Sequence, residues 1–241
     1  MVKWIRDTTG RFPQRPHYAS DELDQECENF ITSFLKARHG AAQYPIETDD
    51  LAVLLEQETQ ELDLYADLSG EGEDVQGVTD FYPGAKPRVR IAKELSEASF
   101  RENRLRTTLT HELGHVKFHS FMWAMLGMQL STGALREASP RCKRECILDA
   151  PRYDWMEWQA AYASGALLMP VSRLRQIVEQ ARVEMGAWSE ISARTDVGGR
   201  LIKVVQDEFR VSADAARVRL AKRGYVVDRD AMPSLFDTNT S

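Results

Sequence analysis

Cysteine is scarce in this chain. Three residues among 241 are an odd number that cannot close into a complete disulfide framework, and such scarcity points to a reducing compartment. Long apolar runs are missing too. Nothing approaches the roughly 18 consecutive apolar residues of a membrane-spanning helix. The opening residues, Met1-Val-Lys-Trp-Ile-Arg-Asp7, lack the apolar run and small-residue cleavage site of a secretory signal. A cytoplasmic protein with no membrane association is therefore expected. What is present is 43% hydrophobic residues, ample for one large domain or a domain with an appendage. The net charge of −6 is unevenly placed: residues 1–20 carry +3, residues 21–80 carry −15, and the remainder carries +6. Such asymmetry can steer a charged partner, although an ordinary solvated surface is the preferred reading.

Histidine is also rare, with five residues, yet two stand four apart in His111-Glu112-Leu113-Gly114-His115. Residues four apart on a helix lie about 40° apart around its axis, so both imidazoles face one side, one turn apart. Two nitrogens on one face make half of a zinc site. Glu112 leaves the helix on the neighbouring flank, where its carboxylate can reach a metal-bound water without occupying a coordination position. A chance match is expected in on the order of one chain in a hundred of this length, and the surroundings favour the metal reading. Leu105, Leu109, Leu113, Val116 and Phe118 supply an apolar stripe for burial. A glycine inside a helix costs about 1 kcal/mol relative to alanine, so Gly114 suggests that something approaches the backbone closely.

Two histidines leave zinc needing a third protein ligand, with the fourth position kept for water. A third histidine ten residues after the first would complete a metzincin-type motif, but that position holds Phe121, and His119 stands at the wrong spacing. The other route is a carboxylate from a later helix. The segment from Asp154 to Pro170 reads as one, stopped by its proline, and Glu157 is its only glutamate.

Together these residues resemble the ImmA/IrrE-type metallopeptidases. The resemblance rests on the HELGH run at His111–His115 with His119 after it, on Glu157 and Ala160 in the spacing Glu-x-x-Ala, and on Leu167-Leu168-Met169-Pro170. It spans roughly residues 20 to 225, although only the two motifs are diagnostic. It implies that His111, His115 and Glu157 are zinc ligands and that Glu112 is the general base. It also implies a protein substrate, typically a helix-turn-helix repressor encoded nearby, whose cleavage releases stress-response or mobile-element genes. One departure stands out: Ala161 occupies a place where the family usually has Asn, and in related zinc peptidases a polar side chain there helps to orient a ligand histidine. Asp154, Gln159 and His119 are candidates to supply that contact, and Tyr153, Tyr162 or His119 to stabilise the oxyanion.

Along the chain, Arg11 to Tyr18 has two prolines and no periodicity and reads as part of an extended basic arm, residues 1–19. Ser20 looks like an N-cap for a helix from Asp21 to Arg38, with Cys27 on its core face. A second helix starts at Thr48 or Asp49. Strands are expected at Leu62–Leu68, Val75–Tyr82 and Arg88–Ala92. The resemblance implies that Arg88–Ala92 is the edge to which an extended substrate adds; a buried structural strand is the equal alternative. Phe121 to Leu130 is apolar and Met-rich, preferred as core over a flap. Cys142 and Cys146, if helical, share a face beside Lys143 and Arg144, and inert thiols are preferred over a redox pair or a second metal site. Helices are expected at Ser172–Arg182, Leu201–Phe209 and Ser212–Lys222, with Trp188–Gly199 irregular.

The expected class is α+β: a zincin-like domain over residues 20–170 built from a small sheet, the HExxH helix and the Glu157 helix, then a helix-turn-helix-like region, 171–225, and a disordered tail, 226–241. Arg217, Arg219, Lys222 and Arg223 would give the last helix a basic side, but a solvated surface is preferred there over a DNA contact. The expected activity is that of a zinc endopeptidase. The alternative is a non-proteolytic regulator or toxin–antitoxin component that keeps the fold to bind a repressor or DNA. Retention of Glu112 argues against the alternative, because a pure scaffold needs no base.

Overall fold

The computed structural model describes residues 3–72, 74–130, 141–143 and 154–227, with the side chains of all of these except Ser99, 126–130 and 141–143. Tyr153, Cys146 and the tail from 228 onward lie outside the described residues. The architecture is α+β, and the chain divides into two compact units, Met1–Pro170 and Val171–Ser241.

Where an extended arm is expected, the first unit opens on an antiparallel hairpin. β1 (Lys3–Arg6) pairs with β2 (Gln14–His17), Trp4 opposite Pro16. Prolines mislead here because a two-stranded ribbon has only edge strands, where a ring with no N–H is tolerated. Asp7 ties the connection together: its carboxylate accepts from the Thr9 amide at 2.9 Å, the Phe12 amide at 2.9 Å and the Trp155 indole at 3.1 Å. Helix α1 (Ser20–His39) follows, capped at Ala19 rather than Ser20. The Glu22 carboxylate accepts from the Ala19 amide at 2.9 Å, which outweighs the intrinsic preference of serine for the cap. Leu23, Cys27, Ile31 and Leu35 bury one face of α1, and Leu51, Leu54 and Leu55 do the same for α2 (Thr48–Glu58).

Then come β3 (Glu61–Ala66), β4 (Gly77–Asp80) and β5 (Arg88–Ala92). With β6 (Arg141–Lys143) they form a four-stranded sheet in the order β3-β5-β4-β6, in which β3 and β5 are parallel and the other pairs antiparallel. Arg88–Ala92 is therefore an interior strand and presents no edge. Its register sets Val89 against Leu62 on one side and Thr79 on the other. Arg90 is held by Asp80 at 3.1 Å and Glu71 at 3.0 Å. Cys142 lies on β6 opposite Thr79, so at that point the chain is extended and not helical.

A short helix, α3 (Lys93–Ser96), leads into the long α4 (Glu102–Leu130), which contains the HELGH run and continues through the Met-rich segment. The first part of that segment is core. Met122 and Trp123 are buried in a cluster with Phe12, Phe81, Trp155 and Met156, against which Phe121 packs, while Met125 is exposed. Trp123 stacks on Phe81 at 5.4 Å and meets Phe12 edge-on at 5.0 Å. Each such pair adds about 0.5–1.5 kcal/mol beyond area burial. The cluster matters because it joins the hairpin, the end of β4, α4 and the start of α5 (Trp155–Leu168), fixing the place where Glu157 begins its helix.

The second unit contains α6 (Val171–Met185), α7 (Asp196–Phe209) and α8 (Ala213–Lys222), of which α7 and α8 are joined by a short turn at Arg210, which adopts φ 48°, and by Ser212, whose hydroxyl caps α8 by accepting from the Ala215 amide. Helix α7 starts five residues before Leu201, because Thr195 caps it by accepting from the Gly198 amide at 3.2 Å. Gly198 and Gly199 fall in the stretch expected to be irregular, yet the first is needed for close approach: a Cβ there would collide with the Ser192 carbonyl oxygen, whereas one on Gly199 meets open space. The tail is expected from residue 226, but Val226 is buried and Val227 bridges to Ser192. Arg219 is 2% exposed, so it leaves the basic side assigned to α8, where Lys222 alone of the four is exposed. Among the described residues no helix is long and apolar enough to cross a membrane.

Two outcomes are expected. Gly199→Ala should raise the denaturation midpoint by the equivalent of about 0.5–1 kcal/mol, while Gly198→Ala should lower it by about 1–3 kcal/mol through the collision with backbone; equal effects in urea titrations would contradict the packing. For Asp7, burial pulls the carboxyl upward, but the bonds from Thr9, Phe12 and Trp155 outweigh it and hold the folded value below the usual range. A depressed folded value contributes stability above the unfolded value of about 3.9 that is lost as pH falls through the folded one. Asp7→Asn should therefore be less stable than the unaltered chain at pH 7, with the gap closing at strongly acidic pH in parallel melting curves.

Candidate metal centre

Helix α4 is enclosed by α2, α5 and the sheet, so the polar residues among its buried positions must satisfy one another. On the α2 side, Arg106, 1% exposed, donates to the Ile46 carbonyl. On the α5 side, Thr110 Oγ1 and Ser164 Oγ share a hydrogen bond of 2.8 Å. At Gly114 the close approach expected from sequence is that of α5 itself: a Cβ there would lie 3.1 Å from the Ala160 Cα and 3.2 Å from its carbonyl oxygen. A larger residue would push the two helices apart.

That approach brings His111, His115 and Glu157 together. The Nε2 atoms of the two imidazoles are 3.1 Å apart, His111 Nε2 is 3.2 Å from Glu157 Oε2, and His115 Nε2 is 3.3 Å from Glu157 Oε1. Their ligand atoms all lie within 4.8 Å of one another, with both histidines buried, an arrangement that could hold a metal ion. Glu157 sits in the first turn of α5, where the positive end of the helix favours its negative charge. Burial alone would raise its pKa, but the charge of His115 and hydrogen bonds from both histidines outweigh that, and the carboxyl is held well below its usual range. It is an ionised carboxylate at neutral pH.

Glu112 is anchored from β4. Thr79 Oγ1 donates to its Oε2 at 2.6 Å, and Gly77 gives its Oε1 room, since a Cβ at Gly77 would collide with that atom. Neither residue stands out in the sequence, although a glycine inside a strand marks close approach.

The remaining candidates separate cleanly. His119 Nδ1 lies 3.0 Å from His115 Nδ1, and its Nε2 lies 3.1 Å from Gln159 Oε1, while Gln159 Nε2 donates to the Pro16 carbonyl at 3.2 Å. Burial, with the charge of His115 acting in the same direction, pushes His119 well below the usual imidazole value, so it is neutral. Of the three residues proposed to stand in for an Asn at position 161, His119 touches His115 and Gln159 supports it. Asp154 does neither: it caps α5, accepting from the Met156 amide at 3.1 Å, and pairs with Arg11 at 2.9 Å. Tyr162, a candidate oxyanion donor, directs its hydroxyl to Asp24 Oδ2 on α1, donating at 3.0 Å. The hairpin's part in the site, through Arg11, Pro16 and Asp7, had no local signal in the sequence.

A scan against models of known protein families and comparisons with curated proteins and solved structures found no match.

Expected of this centre is about one divalent ion per chain in elemental analysis. Glu157→Ala should lose it, because two imidazoles alone give an incomplete site, while Glu112→Gln should keep it. Full metal content after Glu157→Ala would show that the ion sits elsewhere.

Proposed function

We propose that this chain is a zinc-dependent endopeptidase with a zincin-like core of the ImmA/IrrE kind, acting on a helix-turn-helix repressor. The observation that carries the reading is the pairing of a buried His111/His115/Glu157 donor set with a separately anchored carboxylate one residue along α4. Two imidazoles and a carboxylate suit zinc, and a three-ligand set leaves a position open for chemistry. When bound, zinc would supply Lewis acidity toward a carbonyl and activate water at neutral pH. Glu112, held at Oε2 by Thr79, takes the proton of the attacking water and hands it to the departing amine. Thr79 and Gly77 keep that carboxylate in place through the cycle. A structural metal site would have no use for a held base of this kind.

The test is Glu112→Gln, which keeps size and shape but cannot accept the proton. General-base catalysis is commonly worth about 10² to 10⁴-fold. Co-expressed with the neighbouring repressor, the variant should bind zinc and repressor yet leave the repressor whole and its target genes silent. If it derepresses those genes as well as the unaltered chain does, with no repressor fragments on a gel, the chain acts by contact and the peptidase reading is wrong.

A further inference from the structure

We infer that Gln159 and His119 are positioning residues that fix the tautomer and ring orientation of His115 through a hydrogen-bonded relay ending on the backbone of the N-terminal hairpin. The inference rests on the metal reading of the centre. Its argument starts from the opposite end, at Pro16.

A backbone carbonyl only accepts hydrogen bonds. The Gln159 atom 3.2 Å from the Pro16 oxygen must therefore be the amide nitrogen, which turns the amide oxygen toward His119 Nε2 at 3.1 Å. An amide oxygen only accepts, so His119 carries its proton on Nε2 and presents a bare Nδ1 to His115. The two Nδ1 atoms are 3.0 Å apart, which requires that one donate, and His115 is the one with a proton to give. In the metal-bound form, where His115 is neutral, its own Nε2 is then bare. That is the atom facing His111 and Glu157 across the centre, and a ligating imidazole nitrogen must carry no proton.

Reversing the chain fails at each link. A proton on His119 Nδ1 would leave Nε2 needing a donor, the Gln159 amide would have to flip, and two oxygens would face each other at Pro16. A proton would then stand on the ligating atom of His115. Bulk solvent does not reach these groups to relieve this, because His115, His119 and Gln159 are at most 1% exposed, and a misdirected buried network is more costly than none. Trp155 closes the far side of His119, edge-on at 5.4 Å. One carbonyl on a hairpin strand thus sets the protonation of a metal ligand two side chains away.

The relay predicts a graded response in zinc affinity, read by competition with a chromophoric chelator. His119→Leu, which removes the acceptor, should weaken binding by about 10 to 100-fold, the usual worth of such partners. His119→Asn, whose Oδ1 can replace the ring Nδ1 as acceptor, should recover most of that loss. Gln159→Leu should fall between them. In the unaltered zinc-loaded protein, long-range proton–nitrogen NMR should report the proton on Nδ1 for His115 and on Nε2 for His119, a readout that needs no variant to fold. An unaltered chain that binds no zinc overturns the metal reading and the relay with it. Zinc bound with unchanged affinity by His119→Leu, or a His119 ring carrying its proton on Nδ1, overturns the relay alone.

Discussion

Everything in the first unit depends on how closely α5 can approach α4. The third member of the candidate metal-binding group lies 46 residues beyond the first, and chain connectivity says nothing about where it ends up. Contact between the Gly114 face of α4 and the Ala160 backbone of α5 sets the separation, and only glycine allows it without displacing one helix. Once that distance is fixed, the first turn of α5 stands opposite the two imidazoles. The mid-helix glycine weakens α4 locally by about 1 kcal/mol, a loss offset by burial of the apolar residues that flank it.

The approach is held from the outside by the hairpin. Asp7 grips the Trp155 indole, Arg11 pairs with the cap of α5, the Arg15 guanidinium lies over the Trp155 ring at 5.3 Å, and the Pro16 carbonyl takes the Gln159 amide. Four contacts from one short ribbon converge on the first turns of the helix that carries Glu157. Beneath them, Phe12, Phe81, Trp123 and Trp155 make an aromatic floor whose rigidity comes from close packing of rings with few rotamers. The candidate centre is thus built on a frame in which a shift of one element moves one of its side chains.

Electrostatics follows from the same enclosure. Taking His111, Glu112, His115 and His119 out of water would be prohibitive if each were left alone. Each is given a partner from outside α4: Glu157 from α5, Thr79 from β4, Gln159 from α5 backed by the hairpin. The sheet contributes Thr79 because β4 packs against α4 more extensively than β5 does. For that reason the strand Arg88–Ala92, flanked by β3 and β4, has its arginines drawn into pairs with Glu61, Asp80 and Glu71.

What the sequence determined by itself is local. The 3.6-residue period puts His111 and His115 on one side of a helix, Pro170 stops the helix of Glu157, apolar spacing marks α1 and α2, and Gly114 announces a close neighbour, because each follows from bond geometry within a turn or two. What only the tertiary structure decided is which surfaces meet. That β5 is interior, that Tyr162 turns to Asp24, that Arg219 is buried and that α7 begins at its Thr195 cap across two glycines all depend on contacts between residues far apart in the chain. The direction of the His115–His119–Gln159 relay belongs with these, because it is imposed by a carbonyl 143 residues away from the glutamine it accepts from. Spacing along a helix can place a nitrogen, but only a partner from elsewhere in the fold can say which nitrogen carries the proton.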